Sequence, residues 1–561
     1  MRKLPAIVAL LAGLVSCVGV DQNLGGDFIP TDQKYDFHTA EFDLDEVWMK
    51  SIDSLTAYSS RRITIGAIRD ETFGLFSRGS VVTLVPVLDS VDFGKDPVFQ
   101  RFKFKAAVDS VSMADESQAN ILQNVNVYAL TEPLGTNEYF SRAEVKHGDK
   151  RITKGVPVAN GQDSLTFEFT EDYGKQYLSM TQDDLKDLKT YAKKFPGIYL
   201  CTDDPIGNGG RFDMYEMDIL RLVKQSTGAS YITRTDNYAI LYFNGEFDGE
   251  RRDSSLMFYF SPIEMQDLDS LISAKTVPSQ YVFNVDRHES DHLIGKAEDK
   301  IYIEGGSGIK PVVPAAEIQR LVNEEIIKKG GNPATTLISK ATIEMPFDFP
   351  DDYTTMFRYP KILSPTIKIS TDTTVTFAGL TDASASDENQ GEVNRSLCNY
   401  APDITHHVQQ IIRKKTDDSK LSNYDIWFLI MWYEKTTTTD AEAEEMANYY
   451  QQMAYASYAN QLYGGYGYGG YGYGYGGYGY GSYGYYNNYY NYQTCIRDSY
   501  NNYYNYQTMA QYAFSSATKT TSSTELDKDR YYRAVLRGPK ADGKKPKLKV
   551  TFAIPKGYPE K

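Results

Sequence analysis

The run IWFLIMWY at positions 426–433 gives the strongest structural signal in the chain. Every position in it is apolar or aromatic, so the run predicts a central β-strand that is covered on both faces. The stretches 107–113 and 125–130 instead alternate apolar and polar residues, which is typical of strands with one buried face. Runs of both kinds are separated by Gly, Pro, Asn and Asp, and this pattern predicts a sandwich or a barrel.

Strand and helix signals recur in the same order in the two halves of the chain. Each half contains a strand, the entry to a helix, a buried strand and a closing strand. The segments are 108–113, 165–170, 197–200 and 256–260 in the first half, and 341–345, 403–405, 426–433 and 548–552 in the second. We therefore predict a mainly β fold of two jelly-roll-like β-sandwich lobes with a few short packed helices. The alternative is chance, because any two all-β halves can be aligned by eye.

The predicted organisation has five parts. They are a signal peptide (1–16), a tether (17–54), a first lobe (55–265), a connector with a helix at 315–329 (266–334), and a second lobe (335–561) interrupted by a low-complexity loop at 440–525. Two further helices are predicted, one at 182–194 behind the cap Thr181 and one opened by Asp403 or Thr405. All three helices are amphipathic, so we expect each to pack on a sheet.

The loop is exceptionally rich in tyrosine. Residues 463–485 contain only Gly and Tyr apart from Ser482, and the segment 486–494 recurs unchanged at 500–508. No aliphatic stripe is present, so this tract cannot offset the entropy cost of forming a core of its own, and we predict a long disordered loop. Its rings and hydroxyls suit adhesion to sugars, peptides or other tyrosines. The alternative is repeat expansion in a tolerated surface loop with no selected role.

The N-terminus has the layout of a secretory signal. Arg2 and Lys3 precede an apolar stretch at 4–15, which is too short to span a bilayer. The sequence LVSC at 14–17 resembles the lipobox of bacterial lipoproteins, and this resemblance implies cleavage before Cys17 and lipid attachment to it. Val18, rather than an aspartate, is compatible with sorting to the outer membrane. The alternative is an ordinary signal peptide with an incidental cysteine.

Composition excludes several classes of protein. The chain has 561 residues and a formal net charge of −15, which argues against a nucleic-acid partner. Only the N-terminal apolar run could enter a bilayer, so a polytopic membrane protein is excluded. Four cysteines in this length do not form a disulfide scaffold or a metal-cluster spacing.

The sequence HESDH at 288–292 matches the H-E-x-x-H pattern of zinc hydrolases. In such enzymes His288 and His292 would lie one helical turn apart and bind zinc, with Glu289 as the general base. The surrounding residues are polar on every side and Gly295 follows closely, so we interpret the segment as a solvated loop. Zinc hydrolysis is kept as an alternative.

Three other patterns have ordinary structural explanations. The sequence GGSG at 305–308 hints at a phosphate loop, but no helix begins after it, so we predict a tight turn between strands. Asp203, Asp204 and Asp213 lack the spacing of a calcium loop. Trp427 and Trp432 could stack on sugars, but their run is apolar on both faces, so we predict that both lie in the core.

Four motifs behind the lipobox carry a family resemblance. They are NLGGDFIP at 23–30, IGAIRDETFG at 65–74, FPGIYL at 195–200 and IEGGSG at 303–308. In this order they resemble the Bacteroidetes lipoproteins grouped as domain of unknown function family 4270. The resemblance implies the phylum and an envelope location, and it implies no activity or catalytic residue.

The expected function follows from anchoring and composition together. We expect a non-enzymatic, lipid-anchored protein of the outer membrane that acts as an interaction or assembly component, with an envelope protein or a glycan as partner. Cys17, as the lipidation site, is the one assigned functional residue, and no catalytic, cofactor or metal residue is assigned. The leaflet is left open. A glycan-binding surface lipoprotein of an outer-membrane uptake system is the first alternative.

Overall fold

A computed structural model describes residues 34–133, 140–224, 230–370, 375–380, 382, 389–415, 419–438, 450, 505, 508–509 and 519–556. Cys17, Cys495, the signal peptide and most of the tyrosine-rich loop lie outside the described residues. No helix in the described residues combines the length and the apolar character that crossing a bilayer would take.

The described strands are numbered β1 to β31 in chain order. The first sixteen are β1 Tyr35–Asp43, β2 Trp48–Lys50, β3 Tyr58–Ser59, β4 Arg62–Asp70, β5 Gly74–Val82, β6 Leu84–Pro86, β7 Lys95–Ala106, β8 Val108–Met113, β9 Gln123–Leu130, β10 His147–Arg151, β11 Val158–Ala159, β12 Leu165–Glu168, β13 Ile198–Thr202, β14 Gly209–Glu216, β15 Leu220–Lys224 and β16 Ser230–Arg234. The others are β17 Tyr238–Phe247, β18 Glu250–Phe260, β19 Val282–His288, β20 Gly295–Lys296, β21 Lys300–Glu304, β22 Lys310–Val313, β23 Leu337–Pro346, β24 Ile362–Ser370, β25 Val375–Gly379, β26 Val393–Asn394, β27 Asn399–Tyr400, β28 Ile426–Thr438, β29 Lys519–Leu526, β30 Arg533–Arg537 and β31 Lys547–Pro555.

Short helices lie between these strands. The α-helices are α1 Glu171–Tyr177, α2 Leu188–Lys194, α3 Leu268–Ala274, α4 Ala315–Lys328 and α5 Thr405–Ile412. Single 3₁₀ turns occur at Glu116–Gln118, Gln182–Leu185, Ser290–Leu293, Tyr353–Arg358 and Leu421–Tyr424.

The fold is mainly β, as predicted, and is built from several antiparallel sheets with few helices. A ten-stranded sheet has the order β10-β9-β13-β5-β4-β14-β8, with β3, β11 and β19 paired beside this path. A five-stranded sheet, β12-β7-β17-β18-β6, supplies much of the remaining apolar surface of the same core. Smaller sheets have the orders β20-β2-β22-β28-β24-β25, with β29 on β28, and β1-β31-β23-β27-β26. Two strand pairs, β15-β16 and β21-β30, complete the architecture.

The run at 426–433 begins β28, and its prediction as a central strand is confirmed. β28 pairs with β22 on one side and with β24 on the other, and its first five side chains are buried. Trp427 packs with Ile52 and Val312 at 7% exposure, which confirms its predicted place in the core. Trp432 differs, because it is only half-buried beneath the charged groups of Lys361 and Arg530.

The helix predictions hold in different degrees. The helix predicted at 315–329 is α4, and the helix predicted near Thr405 is α5. The single helix predicted at 182–194 is wrong. It forms a 3₁₀ turn and then α2, because Asp187 accepts a hydrogen bond from the Thr190 N–H (2.7 Å) and starts a second helix inside the run.

Contact density divides the chain into two units. The first comprises Met1–His38, Asp440–Ser516 and Ala553–Lys561, and few of its residues are described. The second comprises Thr39–Thr439 and Ala517–Phe552, and it contains nearly all the described strands. Within this unit the predicted connector 266–334 supplies β19 to the ten-stranded sheet and β22 to the sheet of β28. The predicted lobe boundaries stay predictions.

Candidate functional site

The turn between β4 and β5 carries the RDETFG part of the second motif. Asp70 Oδ1 accepts hydrogen bonds from the backbone N–H groups of Thr72 (2.8 Å) and Phe73 (3.0 Å). Gly74 has a φ of 75°, and a Cβ at this position would lie 2.9 Å from the Cβ of Glu289. The turn therefore depends on a short carboxylate at 70 and on glycine at 74.

The HESDH segment packs against this turn. Glu289 Oε2 accepts hydrogen bonds from the Leu75 N–H (3.2 Å) and from Arg69 Nη1 (3.0 Å). His292 Nε2 lies 3.2 Å from the carbonyl oxygen of Thr72. The RDETFG turn and the HESDH segment, which are far apart in the sequence, are thus in direct contact.

A polar pocket of about 240 Å³ opens beside the turn. Three arginines line it, and we call it the arginine pocket: Arg69 from β4, Arg358 from the 3₁₀ turn Tyr353–Arg358, and Arg533 from β30. The other lining groups include three carboxylates and one amide, from Asp70, Glu71, Asp115 and Asn208. The walls come from segments that lie far apart in the sequence, and the folded sheets bring them together.

The three arginines differ in how far their charge is satisfied. Arg533 forms an ion pair with Asp70. Arg69 donates to the Pro205 carbonyl (3.0 Å) and to Glu289. Arg358 is half-buried, and within the described part of the chain it makes no hydrogen bond or ion pair. Of the three arginines of the pocket, Arg358 is therefore the one whose donors are available to a ligand.

Aromatic side chains are exposed on the segment that carries Arg358. Phe349, Tyr353 and Phe357 are 50%, 66% and 59% exposed, although large aromatic side chains are usually well buried. The rings of Tyr353 and Phe357 meet edge to face, with centroids 6.4 Å apart. We call these three residues the aromatic rim.

A buried cluster of charges lies on β5 and β19 behind the turn. The register of these strands places Asp286 opposite Arg78 and His288 opposite Phe76. Asp286 Oδ2 lies 3.2 Å from Arg78 Nη2 and also accepts from the Ser307 N–H (3.0 Å). The His288 ring stacks on Phe76 at a centroid distance of 4.1 Å. Cross-strand pairing thus explains both contacts.

Glu304 and Lys310 complete this cluster from the turn between β21 and β22. Glu304 Oε1 lies 3.0 Å from His288 Nδ1, and Asp286 Oδ2 lies 3.4 Å from His288 Nε2, so the imidazole sits between two carboxylates. Lys310 Nζ donates to the carbonyl oxygens of Glu304 (2.5 Å), Gly306 (3.0 Å) and Gly308 (3.1 Å). These three hydrogen bonds fix the backbone conformation of the turn at 305–308.

Burial and pairing act against each other on the pKa values of the cluster. Burial lowers the pKa of His288, but the charge of Glu304 and the contacts with both carboxylates outweigh burial and raise it above its ordinary value. Burial would raise the pKa of Asp286, yet His288 and Arg78 hold it well below its usual range. Burial lowers the pKa of Lys310 to about 7.

The solvated-loop interpretation of 288–292 is wrong for His288, whose side chain has 0% exposure at the end of β19. The residues after it form a 3₁₀ turn, in which His292 is exposed. The motif therefore lacks the continuous helix that would place both histidines on one metal. Among the described residues, no group of three His, Cys, Asp or Glu is arranged to hold a metal ion.

The remaining sequence candidates have structural roles. GGSG forms the predicted tight turn, with Gly308 N–H donating to the Gly305 carbonyl (3.0 Å). The three aspartates have separate partners: Asp213 pairs with the buried Arg211, Asp203 with Asn126, and Asp204 with Arg287. Cys201 and Cys398 are both free thiols.

No family model, curated protein or solved structure matches the chain. Two of the four motifs nevertheless lie close together: IGAIRDETFG forms most of β4 and its turn, and IEGGSG holds Glu304 against His288, which stacks on Phe76 of β5. FPGIYL leads into β13, and NLGGDFIP lies outside the described residues. Arg358 and Arg533 were missed by the sequence analysis. Neither lies in a recognisable motif, and only the tertiary fold brings them to Arg69.

Proposed function

We propose that the protein is a lipid-anchored component of the outer membrane that binds a partner and catalyses no reaction. The LVSC sequence that ends at Cys17, behind Arg2 and Lys3, carries this proposal. Cysteine suits the role because its thiol can form a thioether to a diacylglycerol, and several acyl chains anchor a protein stably where one does not. The resemblance of the four motifs to those of the Bacteroidetes lipoproteins supports the envelope location.

The arginine pocket supports a binding role. Its Asp70 and Arg533 are paired with each other, which suits a preformed recognition surface. A few convergent polar groups in a concave site are typical of ligand binding. The aromatic rim favours a second candidate function, in which the protein captures glycans for an uptake system, because exposed rings stack on sugars.

Cell fractionation tests the anchor. We expect the wild-type protein, expressed in a Bacteroidetes host, to sediment with outer membranes, and Cys17→Ala to move to the soluble fraction or to stay as an unprocessed precursor. Cys398→Ala is the matched control, since it removes a thiol from the folded part and should leave sedimentation unchanged. Wild-type sedimentation in the Cys17→Ala variant would contradict the proposal.

A further inference from the structure

We propose that the arginine pocket binds the carboxylate of a hexuronate unit in an acidic polysaccharide, with the neighbouring sugars lying on the aromatic rim. This inference rests on the proposed binding function and names the ligand class of the same site.

The anionic part of the ligand follows from Arg358. Its guanidinium is half-buried and makes no hydrogen bond or ion pair within the described residues, whereas Arg69 and Arg533 each form an ion pair with a carboxylate. A planar guanidinium presents a fork of donors that fits a carboxylate through two parallel hydrogen bonds. Asp352 lies near enough to interact with Arg358 electrostatically but makes no ion pair with it, so a bound carboxylate would accept the hydrogen bonds that the Arg358 guanidinium has free.

The sugar part of the ligand follows from the other lining groups. Glu71 is exposed, Asp115 is half-buried, and Asn208 offers both an acceptor and donors. Sugar hydroxyls both donate and accept, so they can donate to Glu71 and Asp115, which an acceptor-only anion such as sulfate cannot do. Hydroxyl groups can donate to Glu71 and Asp115 while the ligand's carboxylate faces Arg358.

The aromatic rim and the pocket volume point to a polymer with one unit inserted. Tyr353 and Phe357 belong to the same 3₁₀ turn as Arg358, and their rings are exposed within five residues of it in sequence. A volume of about 240 Å³ is below the ~300–1,000 Å³ of pockets for drug-sized ligands. The pocket therefore fits one small polar unit, and the adjoining units must lie outside it.

Affinity electrophoresis with three polymers tests the inference. We expect polygalacturonate in the gel to retard the full mature protein, while its methyl ester and polyglutamate retard it little or not at all. Arg358→Gln should weaken the apparent affinity for polygalacturonate about ten- to a hundredfold, the usual effect of losing a hydrogen-bonded charge. Tyr353→Ala should weaken it by a smaller factor. Arg395→Gln, at an exposed arginine outside the pocket, should match the wild type.

The outcomes separate the ligand class from the general function. Equal retardation by the methyl ester would show that the ligand's carboxylate is not recognised. Equal retardation by polyglutamate would show that the sugar is not recognised. Either result would overturn the assignment of a hexuronate. An unchanged affinity in Arg358→Gln would overturn the assignment to the arginine pocket. Absence of retardation by polygalacturonate would overturn the inference outright. None of these results affects the fractionation of Cys17→Ala, so the proposed function stands or fails independently.

Discussion

Asp286→Asn should lower the free energy of unfolding by about 3–5 kcal/mol, the usual cost of breaking a buried ion pair by removing one partner. The substitution keeps the shape of the side chain but removes the charge that Arg78, Ser307 and His288 all contact. Arg78 has a side-chain exposure of 1% and keeps an ion pair with Asp529 (3.4 Å). His288 and Ser307, in contrast, lose the charge that they contact. Urea unfolding followed by circular dichroism measures the change.

A surface aspartate provides the control for this measurement. Asp291 pairs with Arg142 at 3.2 Å, but its side chain is 65% exposed. Asp291→Asn should therefore cost at most about 1 kcal/mol. A double-mutant cycle with Arg78→Met should show strong coupling between Arg78 and Asp286. Similar losses in Asp286→Asn and Asp291→Asn would refute the account of the buried cluster.

His288→Gln should destabilise the protein most below neutral pH, by about 3–5 kcal/mol at pH 6. The pKa of His288 is raised in the folded state, so its charge contributes stability fully below the unfolded value of about 6.5. That contribution is lost as the pH rises through the raised folded value. The difference in stability between the wild type and His288→Gln should therefore narrow towards alkaline pH.

Lys310 and Asp286 also affect how the stability of the cluster depends on pH. The pKa of Lys310 is lowered to about 7, so burying its charge destabilises the folded state below that pH. This cost falls, and the protein gains stability, as the pH rises from about 7 towards the unfolded pKa of lysine. The pKa of Asp286 is far below this window, so Asp286 stays charged throughout. Comparing the two proteins at each pH cancels the contribution of Lys310 to first order, because its pKa is lowered mainly by burial. His292→Gln, at an exposed histidine, should stay within about 0.5 kcal/mol of the wild type at every pH. A difference for His288→Gln that widens with pH would refute the charge assignment.

The β architecture was predictable because its signals are local. The apolar run of β28 and the alternation of β8 and β9 report burial residue by residue, and Pro314 marks the start of α4. α5 was found by its apolar stripe, although its N-cap is Ile404 and neither Asp403 nor Thr405. The helix at 182–194 failed because Asp187 is a second cap that the apolar pattern does not reveal.

The buried cluster and the pocket were not predictable, since their partners are distant in the sequence. Asp286 and His288 face the same side of β19 and looked solvated from their polar neighbours. Their neutralising partner Arg78 lies 208 residues away from Asp286 in sequence. The arginine pocket likewise forms only when β4, the 353–358 turn and β30 come together in the fold. The sequence around Arg358 therefore gives no sign that it lines a pocket.

Mass spectrometry of the N-terminal peptide, from protein extracted from the membranes of a Bacteroidetes host, shows directly whether Cys17 is lipidated. We expect a peptide that begins at Cys17, with a diacylglycerol thioether on its sulfur. A mature N-terminus at any other residue, or an unmodified Cys17 thiol in the processed protein, would contradict the proposed lipid anchor.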